Sequence, residues 1–194
     1  MSVIVAKSAG FCFGVNRAVE TVETAVQEGK TVVTLGPIIH NRHVVNRFDE
    51  MGVRVISTPE EAQEGMTVVI RSHGVSKAIY ERLQEKNVEV IDATCPFVKR
   101  IHGIVSQAEQ EGRVPIIMGT RSHPEVEGIA GWCHNGVILE SAEELAQWVE
   151  KEHIPSDLPV CMVSQTTSTE NSWKKSVIFA KKQFTNLKIF DTKC

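Results

Sequence analysis

The sequence predicts an α/β fold built from parallel sheets. Short runs of β-branched and other apolar residues recur along the whole chain, and their continuous apolar character is typical of parallel strands covered on both faces. Segments with the period of amphipathic helices separate several of these runs. Polar turns rich in histidine or threonine follow four of the apolar runs. Such turns are expected in α/β proteins, because ligands bind beyond the carboxyl ends of the strands.

The strands are predicted where apolar runs end in a turn. They are "VIVA" from Val3, "TVVTLG" from Thr31, "VRVIS" from Val53, "TVVIR" from Thr67, "VEVID" from Val88, "VPIIMG" from Val114, "VILE" from Val137, "VCMVS" from Val160 and "LKIF" from Leu187. Polar turns follow at "TLGPIIHNRH", "IRSHGVS", "MGTRSHPEVEG" and "VSQTTS".

Helices are predicted where apolar residues recur every three or four positions. Such faces are formed by Ala18, Val22 and Ala25, by Ile101, Val105 and Ala108, and by Trp173, Val177, Ala180 and Phe184. Capping boxes at Thr58 with Glu61 and at Ser141 with Glu144 predict two further helix starts.

Repeated patterns predict two small α/β domains. Cys95 in "VIDATCPFV" and Cys194 in "IFDTKC" both follow a strand, an aspartate and a short spacer, and the polar turns recur in a similar way. This recurrence indicates duplicated subdomains. We place the first domain at residues 1–95 and the second at residues 96–194.

Composition excludes several classes of function. The 194 residues carry a net charge of -3 without a basic stripe, so the sequence does not predict nucleic-acid binding. No run approaches the roughly 20 apolar residues of a membrane span, and no signal peptide is recognisable, so we expect a cytoplasmic protein. Five cysteines without a C-x-x-C pair favour free thiols, metal ligands or small buried side chains over disulfides.

Seven motifs give the sequence a family resemblance. They are "AGFCFGVNRAV", "GPIIHN", "RSHGVS", "DATCPFV", "SHPEVEG", "VSQTT" and "FDTKC", in this order over almost the whole chain. Together they resemble the 4-hydroxy-3-methylbut-2-enyl diphosphate reductase family. The resemblance implies a trefoil of three α/β domains around a central [4Fe-4S] cluster. It also implies reduction of an allylic diphosphate to isopentenyl and dimethylallyl diphosphate in the non-mevalonate isoprenoid pathway.

The resemblance implies that Cys12, Cys95 and Cys194 are the cluster ligands. Three thiolates would leave one iron free to bind the substrate hydroxyl. Cys12 is expected just ahead of a helix that opens near Asn16, where backbone amides favour a thiolate. Cys133 and Cys161 match no ligand motif, and we interpret both as buried apolar side chains.

The remaining site residues also follow from the resemblance. His40, His73 and His123 correspond to histidines that bind the diphosphate, whereas an isolated histidine is more often structural. Glu125 corresponds to the acid that delivers a proton to the leaving hydroxyl. Thr166 corresponds to the residue that binds the substrate hydroxyl and helps to relay that proton. Thr167 is a weaker substrate-binding candidate.

Two alternatives remain open from the sequence. The histidines and Glu125 could form the zinc site of a metal-dependent hydrolase, although the cysteines would then have no role. The chain could also be an inactive α/β module, because the third domain of the family has no counterpart in it and we expect a fragment. An active reductase would need an electron donor such as ferredoxin or flavodoxin.

Overall fold

A computed structural model describes residues 3–4 and 9–194, and these residues form an α/β structure as predicted. The helices are α1 Phe13–Gln27, α2 Arg42–Glu50, α3 Lys77–Gln84, α4 Pro96–Gln110, α5 Pro124–Ala130, α6 Ala142–Lys151 and α7 Glu170–Gln183. The strands are β1 Thr31–Leu35, β2 Arg54–Ile56, β3 Met66–Ile70, β4 Glu89–Asp92, β5 Val114–Met118, β6 Val137–Leu139, β7 Val160–Ser164 and β8 Leu187–Ile189. Of the strand predicted at residues 3–6, Val3 and Ile4 are exposed and belong to no strand, and residues 5–6 lie outside the described part of the chain.

The first sheet is four-stranded and parallel, in the order β2-β1-β3-β4. All five residues of β3 are buried, as expected for the centre of a sheet covered on both faces. The predicted apolar face of α1 is also buried, with Ala18 and Val22 at 0% exposure. Ala18, Val22, Ala25, Val32, Ile38, Phe48 and Val69 belong to one core cluster.

The second sheet repeats this topology in the order β6-β5-β7-β8, again with every pair parallel. Both predicted faces of its helices are largely buried. Ile101 and Val105 of α4 pack against Ile117 and Val163 in one cluster, whereas Trp173 of α7 lies in another. The identical strand orders support the duplication inferred from the sequence.

The described residues divide into two compact units. One contains the residues up to Ser72 together with Asn87–Cys95, and the other contains His73–Lys86 and Pro96–Cys194. The second sheet therefore begins after Cys95, but the segment with α3 groups with the second unit rather than the first. Whether the units correspond to domains at residues 1–95 and 96–194 stays a prediction.

Local signals predicted some helix ends better than others. The N-cap Ser141 accepts a hydrogen bond from the backbone N–H of Glu144 at 3.2 Å, and α6 follows as expected. The Thr58 signal marks only a single 3-10 turn, Pro59–Glu61. Helix α1 begins three residues before Asn16.

Within residues 3–4 and 9–194, no helix combines the length and apolar character that crossing a membrane requires.

Candidate active site

The carboxyl edge of the first sheet is formed by loops that continue the pairing of the strands. The carbonyl oxygen of Ile38, after β1, accepts hydrogen bonds from the backbone N–H of Ser72 at 3.2 Å and from its hydroxyl at 3.0 Å. The carbonyl of Ser72, after β3, accepts one from the N–H of Cys95 at 2.9 Å. The sheet thereby fixes the backbone of Cys95.

Cys12 and Cys95 belong to neighbouring segments at this edge. Cys12 is the N-cap of α1, and a Cβ atom added to Gly14 would lie only 2.6 Å from Cys95 Sγ. The Cys95 sulfur therefore packs against the first turn of the helix that Cys12 begins. Arg17 of α1 donates to the Thr94 carbonyl at 2.9 Å, which ties α1 to the loop before Cys95.

His40 lies on the loop between β1 and α2. It is exposed, while Ile38 and Ile39 before it are buried at 1% and 3% exposure. Asn41 after it caps α2 by accepting a hydrogen bond from the N–H of Val44 at 3.2 Å. Buried side chains and a helix cap therefore flank His40 and hold its backbone.

Glu125 and Thr166 meet at the carboxyl edge of the second sheet. The Thr166 N–H donates to Glu125 Oε1 at 2.6 Å, and the Thr166 hydroxyl donates to Oε2 at 2.8 Å. Both residues are buried, at 3% and 8% exposure. Both carboxylate oxygens thus face one residue, which is a suitable geometry for moving a proton between acid and hydroxyl.

His123 and His73 lie together in the same unit. Their rings are edge to face with centroids 5.5 Å apart. His123 is the N-cap of α5, and its Nδ1 accepts a hydrogen bond from the Glu125 N–H at 3.2 Å. In the neutral imidazole, Nε2 then carries the proton and is a donor for an anion.

Cys194 is joined to Glu125 through Thr166. Its N–H donates to the Thr166 carbonyl at 2.9 Å, while the amide and hydroxyl of Thr166 bind Glu125. In the first unit, the N–H of Cys95 makes the corresponding bond to Ser72, which also lies two residues beyond the end of a central strand. The two cysteines therefore occupy equivalent positions in the repeated sheets.

Sequence reasoning missed two residues of this edge. Gln165 is buried, accepts from the Thr120 N–H at 3.1 Å and donates to the exposed Thr167 hydroxyl at 2.9 Å. A cavity of about 240 Å³ lies beside Gln165 and Thr167. Thr192 is buried and binds Ser164. The position of Gln165 directly after an apolar strand could have marked it as a site residue. For Thr192 the sequence offers only its position between the aspartate and the cysteine of the repeated pattern.

The prediction that both cysteines outside the motifs are buried is confirmed for Cys161 and wrong for Cys133. Cys161 has no exposed surface, whereas Cys133 is half-buried like Cys95, and Cys12 and Cys194 are exposed. Burial raises the pKa of the Cys133 and Cys161 thiols to about 11 each. Both remain protonated near neutral pH, which disfavours them as metal ligands.

The remaining histidines have local roles. His134 pairs with Glu109 at 3.0 Å, and His102 stacks on Trp132 with centroids 5.0 Å apart. His43 is exposed in the first turn of α2, and His153 follows α6 with a positive φ of 51°.

Comparison with known proteins identifies the family. The model of the LytB protein family matches residues 3–194. The chain belongs to the LytB family. A LytB relative from Caldanaerobacter subterraneus subsp. tengcongensis, named 4-hydroxy-3-methylbut-2-enyl diphosphate reductase, is 41% identical over the whole chain, and one of the same name from Aquifex aeolicus is 40% identical.

Solved structures agree with this assignment. The E-1-hydroxy-2-methyl-but-2-enyl-4-diphosphate reductase of Plasmodium falciparum matches 97% of the chain with a TM-score of 0.89 and 28% identity. A structure described as (E)-4-hydroxy-3-methyl-but-2-enyl diphosphate reductase, the terminal enzyme of the non-mevalonate pathway, matches 99% with a TM-score of 0.83 and 40% identity. The chain spans 67% and 66% of the two curated LytB relatives and 59% of the Plasmodium chain.

Proposed function

We propose that this chain contributes to the reduction of (E)-4-hydroxy-3-methylbut-2-enyl diphosphate to isopentenyl and dimethylallyl diphosphate. The observation that carries the proposal is the position of Thr166. It binds the predicted acid Glu125 through its amide and hydroxyl, and the predicted cluster ligand Cys194 through its carbonyl. One residue thereby connects the proposed proton donor with a proposed cluster ligand.

A [4Fe-4S] cluster held by Cys12, Cys95 and Cys194 is the cofactor we propose. The chain fits the group in two respects: the Cys95 sulfur lies against Gly14, two residues after Cys12, and all three thiols have exposed surface. Cys12 is the N-cap of α1, so it lies at the helix end where the backbone N–H groups have no intrahelical partner. When bound, such a cluster supplies single electrons and a Lewis-acidic iron.

Glu125 and Thr166 would deliver the proton that the leaving oxygen needs. A protonated Glu125 donates to the Thr166 hydroxyl across the 2.8 Å hydrogen bond, and that hydroxyl passes its own proton to the substrate oxygen. The allylic C–O bond breaks and the oxygen leaves as water. Two electrons reduce the remaining allyl group, and a second proton is added to one of its two terminal carbons. The choice between these carbons accounts for the two isomeric products.

The histidines would hold the diphosphate. His123 presents Nε2 as a donor because its Nδ1 accepts from the Glu125 N–H, and His73 lies edge to face with its ring. His40 is exposed on its loop, and Thr167 is a weaker additional contact. Imidazole N–H groups form charge-assisted hydrogen bonds to phosphate oxygens.

The electrons would come from a ferredoxin or flavodoxin in the cytoplasm. Both are one-electron donors, which matches a cluster that accepts electrons singly. No nucleic acid or membrane takes part in the proposed reaction.

The decisive experiment is anaerobic reconstitution of the chain with iron and sulfide. We expect about four iron and four sulfide per chain, and turnover of the diphosphate with dithionite and a mediator. Cys95→Ser should lose the cluster colour, while the matched variant Cys133→Ser should keep it. A colourless protein with stoichiometric zinc would favour the hydrolase, and an intact cluster without turnover would favour an inactive module.

A further inference from the structure

Thr192 interrupts the backbone pairing that leads to Cys194. In the first unit the segment after β4 continues the ladder through its backbone, because the Ala93 N–H donates to the Ile70 carbonyl at 3.1 Å. In the second unit the corresponding carbonyl, that of Ser164, accepts instead from the side-chain hydroxyl of Thr192 at 2.6 Å. The side chain has taken the place of a backbone amide.

The same hydroxyl satisfies both backbone groups of Ser164. It accepts from the Ser164 N–H at 2.9 Å while it donates to the Ser164 carbonyl. Thr192 is 6% exposed and Ser164 is fully buried, so water does not replace these bonds readily. A hydroxyl is required, because no apolar side chain can both donate and accept.

Other contacts of this segment are weaker. Lys193 forms ion pairs with Glu170 and Asp191, whose side chains are 60% and 61% exposed, and exposed pairs contribute little. The backbone bond from Phe190 to the Met162 carbonyl, at 2.9 Å, lies four residues before Cys194. Thr192 therefore provides a buried side-chain attachment two residues before Cys194.

We propose that Thr192 is a positioning residue for the cluster ligand Cys194. This inference rests on the proposed function, because it assigns Cys194 to the cluster. The hydroxyl of Thr192 clamps the chain to the end of β7, so that the Cys194 N–H reaches the Thr166 carbonyl and the cysteine takes the position that Cys95 has in the first unit.

Thr192→Val tests the role, since valine keeps the shape and removes the hydroxyl. Thr192→Ser keeps the hydroxyl and is the rescue variant. Ser176→Ala is the matched control: it removes another buried hydroxyl of the same unit, whose bond to the Ser172 carbonyl lies within α7. Amide hydrogen exchange and the iron and sulfide content of the anaerobic protein are measured for all three variants and the wild type.

We expect Thr192→Val to speed exchange of the Cys194 amide by at least about tenfold, because loss of even one of the two buried hydrogen bonds of this hydroxyl produces roughly that change. Exchange of the Phe190 amide should stay unchanged, the cluster should be lost faster, and Thr192→Ser and Ser176→Ala should behave like the wild type. Unchanged Cys194 exchange or unchanged cluster retention in Thr192→Val would overturn the role of Thr192. A wild-type chain that binds no cluster would instead overturn the proposed function itself.

Discussion

Gly14→Ala should separate folding of the chain from cluster binding. The new Cβ would lie 2.6 Å from Cys95 Sγ and 3.2 Å from Cys95 Cβ, whereas ordinary contact begins at 3.4 Å. The sulfur must therefore retreat by about 0.8 Å. Movement of the Cys95 backbone is resisted by its hydrogen bond to Ser72.

The cost in folding stability should be small. Overpacking typically costs about 1–3 kcal/mol, but alanine is favoured over glycine within a helix by roughly 0.5–1 kcal/mol. We therefore expect the free energy of unfolding to fall by about 2.5 kcal/mol at most. Metal ligation is less forgiving, because ligand distances tolerate only about 0.2 Å. The variant should fold and bind its cluster poorly.

The matched control is Gly103→Ala in α4. A Cβ at Gly103 would meet nothing within 4 Å, so this variant should gain roughly 0.5–1 kcal/mol of stability and keep its cluster. Chemical denaturation gives the stability, and iron content with the visible spectrum gives the cluster. Wild-type cluster content in a folded Gly14→Ala protein would refute the proposed packing of Cys95 against α1.

Two further predictions address the acid and a buried thiol. Glu125→Gln should lower turnover by about 10²–10⁴-fold with the cluster spectrum unchanged. The glutamine amide oxygen can accept from the Thr166 N–H and its NH₂ can donate to the Thr166 hydroxyl, but the amide is not an acid and delivers no proton. Near-normal rates would exclude Glu125 as the acid. Burial raises the pKa of the Cys161 thiol to about 11, so the folded state binds this proton more tightly than the unfolded state. The resulting contribution to stability is fully present below about pH 9 and is lost as the pH rises towards 11. Between pH 9 and 11 the free energy of unfolding of Cys161→Ser should fall less steeply with pH than that of the wild type. Urea denaturation at several pH values measures both slopes, and equal slopes would contradict the raised pKa of Cys161.

Much of the fold could be predicted from the sequence because its signals are local. The apolar runs from Thr31 onward became strands, and the faces of α1 and α4 that carry Ala18 and Ile101 are buried as expected. The sequence patterns predicted no helix at α2 or α3, and most of α5 falls in a segment interpreted as a polar turn. Each has only seven to nine residues, so periodicity gives little signal.

The site could be predicted less completely, because its decisive contacts are not local. The sequence marked Glu125 and Thr166 through family motifs, but their hydrogen bonds span 41 positions and follow from the pairing of β5 with β7. The clamp between Thr192 and Ser164 spans 28 positions. Nothing in the local pattern distinguishes a threonine that bonds a distant backbone from one that caps a helix.

The duplicated sheets explain why the proposed proton donor belongs to the second unit alone. Ser72 and Thr166 hold equivalent places, two residues beyond a central strand, and the carbonyl of each accepts from a candidate cysteine ligand. Their hydroxyls differ: that of Ser72 donates to the Ile38 carbonyl in the loop after β1, whereas that of Thr166 donates to the Glu125 side chain. Arg42 corresponds to Glu125, because it lies two positions after His40 as Glu125 lies two positions after His123. Its guanidinium does not release a proton near neutral pH. Because the backbone frame is shared, the chemical difference between the units arises from these side chains rather than from the fold.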